Sequence, residues 1–457
     1  MIRQSISYKD DKAFVFKQGN LFYRCLLNGY EKQYNCLMNS GLYAELVSKN
    51  LIINHTELSA EETKYFSGEN IYKVIVPEQI GFVNYPYEWC FSQWKAACVA
   101  LLSINLIAIK YGMIVQDATP YNFTFIGNQC ILLDTSSFVF YDSNKPWEAY
   151  RQFCEEMLAP LLLTKYNGLE WPKLNRAAIS GLPLKFASNL LPIKSYFNSL
   201  SFWHIHLHSF FKNEKTSSQN NLKKNHQNKP LALLQLLLLN IKSLQIKKNK
   251  SVWNDYYETN IESNEYLQHK QIVVEDWLKK IGPVSVADIG ANTGNFSFIA
   301  AKYSGKVYAF DSDTNCIEDL FTKCKELQLQ NITCAVEDMA NPAPGMGWMN
   351  EEKIALLNRL KVNIVLALAV LHHLCITKYL PFEFVAKLFA HISEEYLIIE
   401  FVPKEDSKVK LLLTNREDIF IDYTEENFKK QFSIYFEFIE EISLNTSTRK
   451  LFLCRKK

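Results

Sequence analysis

The stretch VADIGANTGNFSFIAAKY, residues 286–303, constrains the fold more than any other part of the chain. An apolar run ends in an acid, turns through two glycines, and continues as an apolar helical pattern. A strand that leads through glycines into a helix aims unpaired backbone N–H groups at whatever lies beyond the turn. Such a unit belongs to a parallel sheet, and the sequence downstream supplies one. KVYAFDSD, NITCAVED, VNIVLALAVL and EYLIIEFV read as strands separated by helical stretches, and NEYLQHKQIVVEDWLKKIG reads as a helix stopped by Gly282-Pro283. Alternating strands and helices predict an α/β domain, a mostly parallel sheet with helices on both faces. The last stretch, FSIYFEFIEEISLNTSTRKLFLCRKK, reads as a closing hairpin.

In an open parallel sheet, ligands sit outside the carboxyl ends of the strands. The pattern places Asp288 at the end of the first strand, with Gly290, Asn292 and Gly294 in the turn. Asp311 ends the second strand, positioned to bind both hydroxyls of a ribose, and Asp338 ends the third, positioned to accept from an adenine amine. The turn reads G-A-N-T-G rather than the G-x-G-x-x-G of a pyrophosphate-binding nicotinamide site. His372 and His373 fall at the end of the fourth strand, where imidazoles of ordinary pKa would serve as general bases; packing or capping histidines would leave the same trace. Glu400 ends the fifth strand, facing an acceptor.

VADIGANTGNFS with AFDSD and VEDMA, covering about 250–457, resembles the class I S-adenosylmethionine-dependent methyltransferases, whose fold is Rossmann-like. The resemblance implies that Asp288, Gly290 and Gly294 surround the methionine part of the cofactor, that Asp311 takes the ribose, and that Asp338 takes the adenine. LALAVLHHL resembles the fourth-strand motif of small-molecule methyltransferases. ANPAPGMGWMN, ALAVLHHL, IEFVPKED and NREDIFIDYT together resemble a narrower bacterial family, that of the rhizobial nodulation protein NoeA.

Upstream, MIVQDATPYNFTFIGNQCILLDTSSF (113–138) sets Asp117, Asn122 and Asp134 around a probable hairpin. This resembles the catalytic and metal loops of protein-kinase-like phosphotransferases. The resemblance implies an α+β domain with Asp117 as base, Asn122 and Asp134 on magnesium, and Mg-ATP as ligand. Val115 and Gln116 stand where the usual His and Arg would be, and TSS follows Asp134. KQGNLFYRCLL (17–27) has one glycine where a Gly-rich loop would have three. In place of the V-A-I-K lysine there are only Lys17 and Arg24. The expectation is a kinase-like lobe with weak or absent nucleotide chemistry.

Composition breaks between these regions. From Lys212 to Lys250 there are nine lysines against one glutamate. The expected domains are therefore 1–211, kinase-like; 212–250, a Lys-rich linker and connecting helix; and 251–457, the methyltransferase-like domain. The leucine-rich 230–250 segment reads as a helix docked on a domain, or as a basic amphipathic helix making peripheral membrane contact. The net charge of +2 gives no argument for nucleic acid. Eleven scattered Cys without a C-x-x-C pair read as buried thiols in a reducing compartment. The polar N-terminus shows no signal segment, and the expected location is cytoplasmic. The function expected is methylation of a small-molecule or saccharide acceptor. One alternative is a bifunctional kinase-methyltransferase acting on a saccharide, and another is a non-enzymatic glycan- or protein-binding module.

Overall fold

A computed structural model describes residues 2–3, 7, 10–19, 21–66, 70–211, 229–246, 264–414 and 417–457. The Lys-rich stretch 212–228 and the end of the leucine-rich segment, 247–250, lie outside the described residues. The chain divides into two compact units. The first comprises Met1–Phe125, Gln129–Lys247 and Gly347–Lys353, and the second Ile126–Asn128, Lys248–Met346 and Ile354–Lys457.

In the first unit, strands β1 (Ile2–Arg3), β2 (Ala13–Gln18), β3 (Leu21–Leu27), β4 (His55–Glu57) and β5 (Ile71–Pro77) form an antiparallel sheet in the order β1-β2-β3-β5-β4. KQGNLFYRCLL is the β2–β3 hairpin, turning at Gly19 with φ +59°. Phe16, Cys25 and Val74 are buried together, and Ala13, Leu26, Tyr30, Tyr34 and Ile75 form a second cluster. Short strands follow: β6 (Met113–Val115) pairs with β9 (Phe138–Phe140), and β7 (Phe123–Ile126) with β8 (Gln129–Leu132).

The helix Phe91–Lys110 is the one helix among the described residues long and apolar enough to cross a membrane. Its composition follows from burial within the unit, where Trp94, Ala97, Leu101, Leu102 and Ile104 are inaccessible. Its buried polar residues have partners: Gln93 accepts from the Cys90 N–H at 3.0 Å and Asn105 from the Val115 N–H at 2.8 Å. The helix Lys229–Lys242 packs on it, burying Leu234, Leu237 and Ile241 and leaving Leu236 and Leu239 exposed. Lys95 donates to the Leu244 carbonyl at 2.7 Å just beyond that helix.

The second unit holds a seven-stranded sheet: β10 (Ser285–Ile289), β11 (Lys306–Asp311), β12 (Ile332–Val336), β13 (Val362–Ala367), β14 (Ser393–Phe401), β15 (Phe436–Ser443) and β16 (Lys450–Lys456). The order is β12-β11-β10-β13-β14-β16-β15, parallel from β12 to β14. β15 and β16 form the closing hairpin, with β16 antiparallel to β14. This is a Rossmann-like, doubly wound domain. The strand order reverses between β10 and β13, which makes the crevice at their carboxyl ends the topological switch point.

Candidate functional site

The glycine turn follows β10. The Gly290 and Ala291 N–H groups donate to the Phe310 carbonyl, each at 2.9 Å, pinning the turn to β11. Gly290 has φ +76°, Asn292 +49° and Gly294 +92°, the left-handed region that side chains resist. A Cβ on Gly290 would press on Val370 at 3.3 Å. The sequence places Gly294 against the cofactor. A Cβ there would meet Leu320 Cδ1 at 2.2 Å, so packing between the helices Asn295–Tyr303 and Thr314–Glu326 also calls for a glycine at this position.

Asp288 is buried and accepts from the Ser297 hydroxyl at 2.6 Å. Burial, reinforced by the neighbouring Asp311, pushes its carboxyl up to about 6. Asp311 ends β11, half-buried. One of its oxygens accepts from the Asn292 N–H and the other from the Asp313 N–H, each at 2.8 Å. Asp338 lies two residues past β12 instead of at its end. It accepts from the Ala340 N–H at 2.9 Å and pairs with Lys378 at 2.7 Å, so an adenine amine would compete with an existing cation for it.

The end of β14 carries a buried charge cluster. Glu400 is inaccessible, one oxygen accepting from the Tyr266 hydroxyl and the other from the Lys270 ammonium, both at 2.5 Å. Arg449 grips Asp406 with two N–H groups at 2.7 and 3.0 Å, donates to the Tyr266 hydroxyl at 2.9 Å, and stands 3.6 Å from Glu400. Burial alone would raise the Glu400 carboxyl. Lys270 and Arg449 outweigh it and hold the group below its ordinary value. The expectation that Glu400 faces an acceptor is therefore corrected: its oxygens are committed to an ion-pair hub.

His372 and His373 follow β13, ring centroids 4.1 Å apart. His372 is fully buried, and among the described residues both its ring nitrogens lack a hydrogen-bond partner. The expectation of near-neutral titration does not hold. Burial, aided by His373 and Arg449, holds His372 well below its ordinary value, and burial with Arg449 lowers His373 to about 4. Both imidazoles are thus neutral proton acceptors at physiological pH. Ala369, just before them, has φ +53°, a strained conformation of the kind that gathers at functional sites.

Motif reading missed Tyr266, Lys270, Ser297, Asp406 and Arg449. One signal was present: Tyr266 and Lys270 sit at i and i+4 on one helix face. Arg449 enters from the far end of the chain and leaves no local trace.

In the first unit, Asn122 donates to Asp117 at 3.2 Å, and Gln152 donates to the other Asp117 oxygen at 2.6 Å. Asp134 takes different partners. Arg24, in the middle of β3, forms an ion pair with it, and the Ser136 hydroxyl lies within hydrogen-bond reach of both Asp134 and, at 3.0 Å, Asp10, with one proton to donate. Burial, then the nearby Asp134, raises the Asp10 carboxyl. Among the described residues no group of three or more His, Cys, Asp or Glu could hold a metal ion. Asn122 lies beside Asp134, its carbonyl accepting from the Leu133 N–H at 2.7 Å, and the Asp134 carboxylate is already neutralised by Arg24.

Over 397 residues the chain is 30% identical to nodulation protein NoeA of Rhizobium meliloti (strain 1021), across 85% of this chain and 83% of that protein. The chain belongs to the NoeA family. No family model matches it. Among solved structures, this NoeA-family chain overlaps in part with N-methyltransferase NodS from Bradyrhizobium japonicum WM9 (11% identity, 45% of this chain, 99% of that one, TM-score 0.33). It also overlaps with magnesium protoporphyrin IX methyltransferase from Synechocystis PCC 6803 (16%, 45% and 93%, TM-score 0.32). A third overlap is with the bifunctional kinase-methyltransferase WbdD (15%, 44% and 42%, TM-score 0.31). The fold assignment of the NoeA-family chain rests on its own strand order and glycine turn.

Proposed function

We propose that the second unit is an S-adenosylmethionine-dependent methyltransferase acting on a small-molecule or saccharide acceptor. The observation that carries this reading is Asp311. Its carboxylate ends β11 beside the glycine turn, one oxygen accepting from the Asn292 N–H and the other from the Asp313 N–H, at the strand end where an acid meets a ribose in such sheets. The residues fit the cofactor in a second respect: the partnerless nitrogens of buried His372 stand just past the end of β13. Asp288 and the glycine turn would hold the methionine part. The cofactor, when bound, supplies an already activated methyl group. The chain must then position the acceptor, exclude water and take up its proton. His372 and His373 are neutral, but the burial that keeps them so also disfavours the imidazolium, so either would serve an oxygen acceptor as base only where a bound ligand stabilises that cation. Glu400 instead fixes Lys270 and Arg449.

The first unit carries a companion reading. An antiparallel sheet, a long buried helix and the Asp117–Asn122 pair support a kinase-like lobe. The residues as they stand do not fit magnesium, since Asp134 is bound to Arg24. We infer that this lobe binds Mg-ATP poorly or not at all, which favours the methyltransferase over the bifunctional alternative.

Calorimetry with S-adenosylmethionine tests the main reading. The intact chain binds it, and Asp311→Ala weakens binding at least tenfold. Each lost charge-assisted hydrogen bond is worth about 1.5–3 kcal/mol. Equal affinity in a folded variant removes Asp311 from the site. No binding by the intact chain removes the proposal.

A further inference from the structure

Among the described residues, most of the exposed large aromatic side chains fall in one short part of the first unit. Phe197 is 88% exposed, Ile193 80% and Phe210 77%, with Phe186, Trp203 and Phe211 also open to solvent. Such a concentration of exposed apolar side chains marks an interaction surface. The elements that carry it pack on one another: the helix Leu184–Leu190, the turn Ile193–Phe197 and the helical stretch Phe202–Phe210. His206 pins them from the inside. Its ring nitrogens bond the Ser188 and Ser195 hydroxyls, each at 2.7 Å, and Tyr196 stacks on its ring at 3.6 Å. His206 and its serines share the interior of this small assembly with Leu184, Leu200 and Ile205, while the aromatic groups face water.

Its charge is equally one-sided. Trp171–Phe211 contains no Asp or Glu, against Lys173, Arg176, Lys185 and Lys194. Lys173 is paired with Glu170, and the Arg176 guanidinium lies over the Tyr87 ring. Lys185 and Lys194 are exposed, the Lys194 ammonium lying over the Tyr166 ring, 5.8 Å from its centroid. Burial lowers the pKa of His204, His206 and His208, so they add no charge near neutral pH.

We propose that this face docks on the interfacial layer of a bilayer containing anionic lipid. Trp, Tyr and Phe partition to the level of lipid headgroups, and lysines at their rim gain from a negative surface. The segment itself brings no acid, and the neighbouring Glu155 and Glu170 are paired with Arg151 and Lys173, so the face opposes an anionic headgroup little; that complementarity selects lipid over a second copy of this chain, which would bring the same cations to the contact.

The test is co-sedimentation of the full chain with phosphatidylcholine vesicles and with vesicles that also contain phosphatidylserine. The intact protein binds the anionic vesicles, with affinity that falls as salt rises. Phe197→Ser combined with Trp203→Ser weakens binding at least tenfold. Lys185→Gln and Lys194→Gln each weaken it about fivefold, the worth of one lysine near such a surface. All four residues are exposed, so an unchanged melting temperature confirms folding. If the aromatic variant fails to fold, the lysine variants and the salt titration of the intact protein decide. No binding of the intact chain to anionic vesicles overturns the proposal, as does binding that none of the variants weakens. A dimer detected by light scattering and lost in Phe197→Ser/Trp203→Ser, without vesicle binding, would make the occupant a second copy and equally overturn it.

Discussion

Each unit of this NoeA-family chain contains a cluster in which carboxylates meet arginine, and the two clusters do opposite things. In the second unit Glu400 and Asp406 balance Lys270 and Arg449, all four buried. Charge is matched within the cluster, and beside it His372 keeps two partnerless nitrogens. In the first unit Asp134 meets Arg24 at a partly exposed position, and the second carboxylate, Asp10, leans on Ser136. There the ion pair takes up the carboxylate that a metal would need. A self-balanced cluster at a strand end leaves the crevice free for ligands. A cluster that closes on the would-be ligand group leaves none.

The largest effect that could break this comparison comes from Glu400→Gln. The substitution keeps the shape and strands Lys270 close to Arg449 in a dry interior. Removing one partner of a buried ion pair costs about 3–5 kcal/mol, so the second unit should lose most of its margin, visible as a steep fall in the urea midpoint. A midpoint unchanged within error would show that water reaches the cluster.

Asp288 sharpens the comparison through pH. Its folded pKa, about 6, stands above the unfolded value of 3.8. The native state therefore holds the Asp288 proton more tightly, and its contribution to stability is fully present below about pH 4 and lost as pH rises to about 6. The full loss is on the order of 3 kcal/mol. Asp288→Asn stays neutral and can still accept from Ser297. It should raise stability at pH 7 and flatten the decline between pH 4 and 6 in urea titrations, while weakening S-adenosylmethionine binding. Parallel pH profiles in the two proteins would mean that Asp288 is solvated.

The sequence showed the second unit's sheet clearly because parallel strands buried on both faces read as continuous apolar runs, and the turn announces itself through Gly290 and Gly294. Asp288 and Asp311 were legible for the same reason: each stands at the end of an apolar run. The structure revised what depends on contacts across the sequence. Gly294 is also required by Leu320, a helix away, and no local pattern shows that. The histidines lost their near-neutral pKa to burial and to Arg449, which lies far down the chain. Glu400 looked catalytic because it ends a strand, yet its partners come from a helix that precedes the sheet and a strand that closes it. Arg24 sits on β3, the second strand of the hairpin that turns at Gly19. The sequence shows an arginine there but not that it turns onto Asp134.

That arginine supplies the smallest and most discriminating test. Arg24→Met removes the cation and keeps much of the side chain's bulk. Both partners are partly exposed, so the lost ion pair costs only about 1 kcal/mol. The consequence for ligands is larger in kind. With Arg24 gone, Asp134 has the nearby Asp10 as an uncompensated neighbour, and two carboxylates without a cation favour a divalent ion. The intact chain should show no rise in melting temperature when Mg-ATP is added, and Arg24→Met should show one that Asp134→Asn in the same background abolishes. A rise already present in the intact chain would mean that nucleotide displaces Arg24, and would revive the bifunctional alternative. A variant that folds and still ignores Mg-ATP would locate the obstacle elsewhere, in the residues around Asp117 and Gln152, whose hydrogen bond would then be what holds the cleft shut.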